Sequence, residues 1–322
     1  MAARRRIALA VALLALAAVG VVAVAVLSSG NGSSASTASE AKPRPGRPPL
    51  SLVFGLRSDS EARALARAAR LYNARQAGAA GRIFARYESL AARVGAAFAA
   101  WPDGSLERLE ELASLYPKSG VVQLHLGLAR LWAGQGDPTA AWRAAEDGDP
   151  DSPYAILAGN LLHPNLPRGL PAFIPSFTAL PQVTRLPADE QLAALRARAL
   201  RGGARDWILF GVGLQRVGRT VSAREAFERA ARMAPHDFEA QVADAVGLFD
   251  KDDPTPSFAH LGPLTREFPH EPTVRFHLGV LLLWTGRISA AEHQLRLAAH
   301  TRPGSPLARE AARYLATIRR AR

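Results

Sequence analysis

The chain is predicted to be all-α, a stack of helix pairs preceded by one membrane-spanning helix. Pro235, Pro269 and Pro303 recur 34 residues apart, and a fixed period of this length indicates stacked helix pairs. An uncharged apolar run at residues 7–27 lies near the start of the chain. The predicted parts are an N-terminal membrane anchor or signal sequence (1–27), a disordered tether (28–55) and a helical body (56–322).

The residues between the period prolines repeat as well, most clearly within residues 203–303. Gly211 precedes Phe227, and Gly279 precedes Leu295, at the same offset. A small residue where two helices cross lets their backbones approach closely, and the large residue fills the space beside it. Each proline then ends the second helix, because it lacks an amide hydrogen and disfavours helix at the preceding residue.

This template resembles the tetratricopeptide repeat (TPR) family. The resemblance covers the units that end at Pro235 and Pro303, whereas the unit between them keeps the length but is degenerate, and Arg275 departs from the usual large apolar residue. The family resemblance implies that residues 56–322 form a TPR-like solenoid of helical hairpins. It also implies a protein that binds other proteins, and the excess of arginine over lysine, with abundant Ala, Gly and Pro, indicates a bacterial source.

A second internal match extends the array towards the N-terminus. Residues 116–134 recur as residues 268–286 at an offset of 152 residues, including His125 as His277 and Trp132 as Trp284. Counting in steps of 34 from both ends leaves a surplus of roughly 16 residues between them. The surplus lies in a proline-rich insertion at residues 163–187.

The insertion contains six prolines in 25 residues, which excludes a continuous helix. Phe173, Ile174 and Phe177 are too apolar for a solvated linker, so we expect the insertion to pack on the helices. Two interpretations remain open at this point. The segment is either a connector between two helices or a loop that contacts a partner, since long loops in compact domains are often functional.

Residues 7–27 are long enough to cross a bilayer, because 21 residues at about 1.5 Å each span about 30 Å. Three arginines, at positions 4–6, adjoin this run directly. The positive-inside rule therefore predicts a single-pass protein of the cytoplasmic membrane, with the N-terminus inside and the repeat domain outside. The alternative is a cleaved signal sequence, with secretion of the mature chain.

The composition excludes several function classes. The chain has no cysteine, hence no disulfide and no thiolate site, and it carries neither a zinc-protease motif nor a dinucleotide loop. We therefore expect no enzyme activity, no cofactor and no metal. Part of the net charge of +12 lies in the segments at residues 4–6 and 42–47, and the rest is spread over arginines interleaved with acids. No aromatic–basic motif is present, so we expect no nucleic-acid binding.

The TPR resemblance also implies which residues line the concave groove, namely set positions on the first helix of each pair. Such an apolar groove suits an amphipathic helix or an extended apolar segment of a partner. In the alternative interpretation, the same residues form the core between repeats. The groove residues are Phe276, His277, Val280 and Trp284, then Leu124, His125, Leu128 and Trp132, and finally Ile208, Val212 and Arg216.

The functional expectation is a membrane-anchored scaffold that mediates protein–protein interaction outside the cytoplasmic membrane. The family resemblance implies a role in assembling an envelope complex. Its partner is expected to be a protein or peptide, and its membrane contact to be residues 7–27. The alternative is a secreted or surface structural protein whose arginines bind anionic cell-wall polymer.

Overall fold

The computed structural model describes residues 42–320, and within that range the chain forms sixteen helices and no strands. The all-α prediction is therefore confirmed for this part of the chain. The first seven helices are α1 (Ser60–Asn73), α2 (Ala77–Phe84), α3 (Leu90–Ala99), α4 (Ser105–Leu115), α5 (Gly120–Ala133), α6 (Pro138–Gly148) and α7 (Pro153–Leu162). The other nine are α8 (Pro181–Thr184), α9 (Ala188–Ala199), α10 (Ala204–Arg216), α11 (Thr220–Met233), α12 (Phe238–Gly247), α13 (Thr255–Glu267), α14 (Pro272–Trp284), α15 (Ile288–Thr301) and α16 (Pro306–Arg320).

The described chain divides into two compact units. The N-terminal unit is residues 42–162, with α1–α7, and the C-terminal unit is residues 163–320, with α8–α16. Each unit buries its own apolar core. The division falls at the first residue of the predicted proline-rich insertion.

Consecutive helices pack on each other within each unit, most extensively as the pairs α5–α6, α10–α11 and α14–α15. Glycine permits the close approach. A methyl group on Gly211 would collide with the Phe227 ring, and one on Gly279 would lie 2.8 Å from Leu295 Cγ. The predicted pairing of small and large residues where the helices cross is therefore confirmed at both sites.

The period prolines lie where they were predicted. Helices α11, α13 and α15 end two residues before Pro235, Pro269 and Pro303. Helix α4 ends in the same way before Pro117. The 34-residue period is therefore the spacing of helix ends.

Outside the matching stretch, two serines that lie 152 residues apart each bond to the preceding helix, although their acceptors, Ala97 and Ala245, are 148 residues apart. The buried Ser105 hydroxyl donates to the Ala97 carbonyl at 2.7 Å, and Ser257 donates in the same way to the Ala245 carbonyl at 2.5 Å. Both bonds join the start of one helix to the last turn of the helix before it. The two units thus share an internal polar contact as well as a helix pattern.

No helix within residues 42–320 is both long enough and apolar enough to cross a membrane. The span predicted at residues 7–27 lies outside the described residues.

Candidate functional site

Most of the residues predicted to line a groove are buried. Helix α14 places all four of its members in the core, and α5 places three there, with only Trp132 partly exposed. On α10, Ile208 is buried, Val212 is half-buried and Arg216 is exposed. The buried members are Phe276, His277, Val280, Trp284, Leu124, His125, Leu128 and Ile208.

These residues fall into two groups, one in each unit, and an extended segment of the chain itself lies against each group. We name residues 43–55 the first strap and residues 168–178 the second strap. The first strap contacts α5 in the N-terminal unit, and the second contacts α10 and α14 in the C-terminal unit. Both straps are rich in proline, which favours extended backbone and disfavours helix.

The first strap is held by the buried residues Pro48 and Leu50 and by its main chain. The Leu50 side chain is 1% exposed, and the main chain of this residue forms two hydrogen bonds with the Asn73 side chain, of 3.1 and 2.9 Å. The Ser51 amide donates to His125 Nε2 at 3.1 Å. Further along, the Val53 amide donates to the Tyr154 hydroxyl at 3.1 Å.

The second strap is held in the same manner by different residues. Phe173 is 2% exposed, and its main chain forms two hydrogen bonds with the Gln215 side chain, of 3.0 and 3.5 Å. The Ile174 amide donates to His277 Nε2 at 2.9 Å. The Ser176 amide donates to the Glu239 carboxylate at 3.1 Å.

The two sets of contacts correspond position by position. In each strap a buried apolar residue, which we call the anchor, is hydrogen-bonded through its main chain to a side-chain carboxamide. The next residue donates its main-chain amide to a histidine. The third residue after the anchor donates to an oxygen of the helices. Each strap also runs antiparallel to its histidine helix, because its earlier residues lie at Trp132 or Trp284, near the helix end. The two grooves are therefore one kind of site, present twice.

The histidines are fixed as hydrogen-bond acceptors towards the straps. His125 Nδ1 lies 2.6 Å from the Val121 carbonyl, and His277 Nδ1 lies 2.7 Å from the Thr273 carbonyl. A carbonyl oxygen only accepts, so Nδ1 carries the proton and Nε2 is free to accept from the strap. Burial lowers the pKa of each of these two histidines to about 4, which keeps the acceptor form dominant at neutral pH.

The oxygen that receives the third amide is the main chemical difference between the two grooves. In the N-terminal unit it is the Tyr154 hydroxyl, which also donates to the Val53 carbonyl at 3.2 Å. In the C-terminal unit it is the buried Glu239 carboxylate, which also accepts from the Thr273 hydroxyl at 3.1 Å. Burial raises the pKa of Glu239, and the donors at Ser176 and Thr273 oppose that rise.

The anchors differ in their aromatic contacts. Phe173 stacks on His277 with ring centroids 4.8 Å apart and meets Phe227 edge-on at 5.7 Å. Leu50 has no ring to make such contacts, and in its unit Phe98 meets His125 edge-on at 5.1 Å. The C-terminal groove thus includes an aromatic stack on the anchor itself.

A cavity lies beside the first strap, within the N-terminal unit. Its volume is about 540 Å³, and its lining includes strap residues 43, 44, 46 and 47 together with Trp101 and Trp132. The Arg44 guanidinium lies over the Trp132 ring at 5.3 Å, and Arg47 donates to the Ala99 carbonyl at 3.2 Å. The early part of the first strap is therefore exposed, whereas its anchor is buried.

Sequence reasoning identified the two histidines and both tryptophans but missed what lies on them. Residues 48–54 fall in the segment predicted as a tether, and the carboxamides Asn73 and Gln215 had no motif to mark them. The available signal was compositional. Leu-Ser-Leu-Val-Phe follows Pro-Pro directly at residues 48–54, as Ala-Phe-Ile-Pro-Ser-Phe follows a proline at residues 171–177.

The insertion at residues 163–187 packs as predicted, because Phe173 is buried and Ile174 and Phe177 are half-buried against the same core. It is also a connector, since it leads from α7 to α9 and contains only the short α8. Within residues 42–320, no group of three or more His, Cys, Asp or Glu is placed to hold a metal ion.

No family model matches the chain, and no curated protein matches it. The TPR resemblance therefore stays a prediction from the repeat pattern.

Proposed function

We propose that this chain is a membrane-anchored, TPR-like scaffold that binds protein partners outside the cytoplasmic membrane. One observation carries the proposal. Each unit holds an extended polypeptide segment in a groove, by a buried apolar anchor and by main-chain hydrogen bonds. An extended peptide is recognised by this combination, with main-chain bonds for affinity and a pocket for selected side chains.

The TPR-like assignment has support from local geometry. The 34-residue period coincides with the helix ends, and glycine lies at the crossings of α10 with α11 and of α14 with α15. Stacked helix pairs present extended surfaces that suit binding rather than catalysis. We accordingly assign no catalytic role to the chain.

The membrane part of the proposal comes from residues 1–27. The apolar run at 7–27 anchors the chain, and the arginines before it keep the N-terminus in the cytoplasm. A scaffold held in this way gathers its partners at the outer side of the membrane, as in the assembly of an envelope complex. Cleavage after the apolar run would instead release the same scaffold as a secreted protein.

Photocrosslinking from single positions of the full chain in membranes tests the proposal. The crosslinking residue replaces Arg216, which is exposed, or Trp132, which is partly exposed. Matched controls replace Glu225 on α11 and Arg143 on α6, which are exposed on the second helices of the same hairpins. We expect discrete protein adducts from the groove positions and none from the controls.

The same adducts should persist at about 1 M salt, where charge attraction is largely screened. Equal adducts from all four positions, or none from any, would contradict a groove scaffold. Loss of binding at high salt would favour the basic protein that binds anionic cell-wall polymer.

A further inference from the structure

We propose that the N-terminal groove is an exchange site, in which the first strap is an internal competitor for a partner segment of the same chemistry. That segment is extended, contains a proline before a Leu- or Phe-sized anchor, and belongs to another protein. The inference rests on the scaffold function proposed above and specifies its ligand and its regulation. It starts from the correspondence between the two straps.

The grooves recognise mainly the main chain of a strap, together with the anchor, a proline two residues before it and a phenylalanine four residues after it, which both straps share. Leu50 and Phe173 differ in shape yet occupy equivalent places, and their successors Ser51 and Ile174 share only the amide that each gives to a histidine. A foreign segment with an apolar anchor can offer the same groups. Nothing in these contacts depends on the segment being part of the same chain.

The pattern of used amides defines which segments fit. The amides of the anchor, of the next residue and of the third residue after the anchor are hydrogen-bonded in both straps. In the second strap the residue two positions after the anchor is Pro175, which has no amide hydrogen to donate. A ligand therefore tolerates proline two residues after the anchor, and loses a contact when proline stands one or three residues after it.

The first strap fills its groove incompletely, which is why we assign exchange to this groove. Its anchor end is buried, but residues 43–47 are exposed and leave the cavity of about 540 Å³ against Trp101 and Trp132. A tethered strap competes at an effective concentration in the millimolar range. A partner displaces it only by making contacts that the strap lacks, and a bulky apolar side chain in this cavity makes such contacts.

The partner segment is therefore specified at three places. It has a Leu- or Phe-sized anchor, free amides one and three residues later, and a large apolar side chain about four to seven residues earlier. The positions of residues 43–46 relative to Leu50 set that last spacing. Arg44, which already lies over the Trp132 ring, marks the place for this side chain.

The test uses fluorescent peptides and the purified full chain. The parent peptide has the sequence of residues 43–57, and its variants are Leu52→Pro, Val53→Pro, Leu50→Asp and Arg44→Trp. The chain is wild type, Ser51→Pro, which removes the amide given to His125, or the matched control Ser51→Ala, which keeps it. Binding is followed by fluorescence anisotropy.

We expect the parent peptide to bind the Ser51→Pro chain at least tenfold more tightly than the Ser51→Ala chain. On that chain the Leu52→Pro peptide should bind like the parent, and the Val53→Pro and Leu50→Asp peptides at least tenfold more weakly. The Arg44→Trp peptide should bind more tightly than the parent, because its indole enters the cavity.

No saturable binding by a folded Ser51→Pro chain would overturn the proposal, as would equal binding of the Leu52→Pro and Val53→Pro peptides. If the Ser51→Pro chain does not fold, the proposal is tested with the wild-type chain. Excess Arg44→Trp peptide must then speed hydrogen exchange of the first strap at least tenfold, and unchanged exchange overturns the proposal. If crosslinks form only from the groove positions but no peptide exchange is seen, the scaffold function is supported and only this inference is rejected.

Discussion

The two grooves each hold an extended strap, but they do so with different residues. Each has a carboxamide around the anchor and a histidine acceptor beside it, but the N-terminal groove holds a leucine and the C-terminal groove a phenylalanine stacked on its histidine. The carboxamide and the histidine, which contact the strap main chain, match in the two grooves. The anchor differs, and so does the acceptor of the third amide, which is Tyr154 in one groove and the Glu239 carboxylate in the other. The two sites should therefore share the histidine contribution to pH dependence but differ in how strongly each anchor is held.

The largest expected effect comes from removing the anchors. Phe173→Ala should lower the free energy of unfolding by about 4 kcal/mol and Leu50→Ala by about 3 kcal/mol, since each leaves a cavity and the first also loses two ring contacts. Urea unfolding followed by circular dichroism measures both. Leu200→Ala is the control, because that side chain is 64% exposed and should change stability by less than about 0.5 kcal/mol. A negligible effect of Leu50→Ala would break the comparison.

The second effect is a shared loss of stability in acid. In the unfolded chain a histidine has a pKa near 6.5, whereas in the folded chain His125 and His277 have a pKa of about 4. Between these values the unfolded state binds more protons, so stability is complete above about pH 6.5 and falls as pH falls towards 4. The loss is on the order of 3 kcal/mol per histidine at about 1.4 kcal/mol per pKa unit.

Urea titrations at a series of pH values measure this loss. His125→Gln and His277→Gln should each remove about half of the histidine contribution, because glutamine supplies an uncharged acceptor. A pH profile that neither substitution alters would show that protonation of these histidines does not control the straps.

The third effect separates the hairpins beside the grooves. Gly127→Ala puts a methyl group into the Trp142 ring and 2.9 Å from the Pro138 carbonyl, so it should cost about 2–3 kcal/mol. Gly279→Ala puts a methyl group 2.8 Å from Cγ of the buried Leu295 side chain and should cost about 1–2 kcal/mol. Thermal unfolding of the two variants measures the difference.

The smallest effect concerns the carboxamides. Asn73→Ala should cost about 1.5 kcal/mol, because it leaves the Leu50 amide and carbonyl unpaired in a part-buried place. Gln215→Ala should cost about 1 kcal/mol, since its second bond is longer, at 3.5 Å. Double substitution with the neighbouring histidine measures the coupling in each groove. Equal costs in the two units would show that the longer bond contributes as much as the shorter one.

The helices were largely predictable from the sequence, for reasons visible at particular residues. A proline that ends a helix and a glycine at a crossing act locally, so Pro235, Gly211 and Phe227 reveal their roles through spacing alone. The match of residues 116–134 with 268–286 likewise marked His125 and His277 as equivalent. The helix ends and the helix crossings could therefore be predicted from the sequence.

The two straps that occupy the grooves could not be predicted in the same way. Ser51 and His125 are 74 residues apart, and Ile174 and His277 are 103 apart. A hydrogen bond from a main-chain amide carries no residue-type signature. Composition suggested that Phe173 would be buried, but it did not indicate the partner on which Phe173 would lie.

Recognition through main-chain amides has a consequence for how such a chain changes over generations. Most substitutions within a strap leave the amides in place, so the strap sequences can drift while the site persists. Residues 48–54 and 171–177 share a proline two residues before the anchor, the apolar anchor and a phenylalanine four residues after it, but they differ at the other four positions although they occupy matching grooves. The helices that carry His125 and His277 contact the straps through their side chains, so the sequences of these helices stay similar. A search for duplicated segments therefore detects these helices and misses the straps.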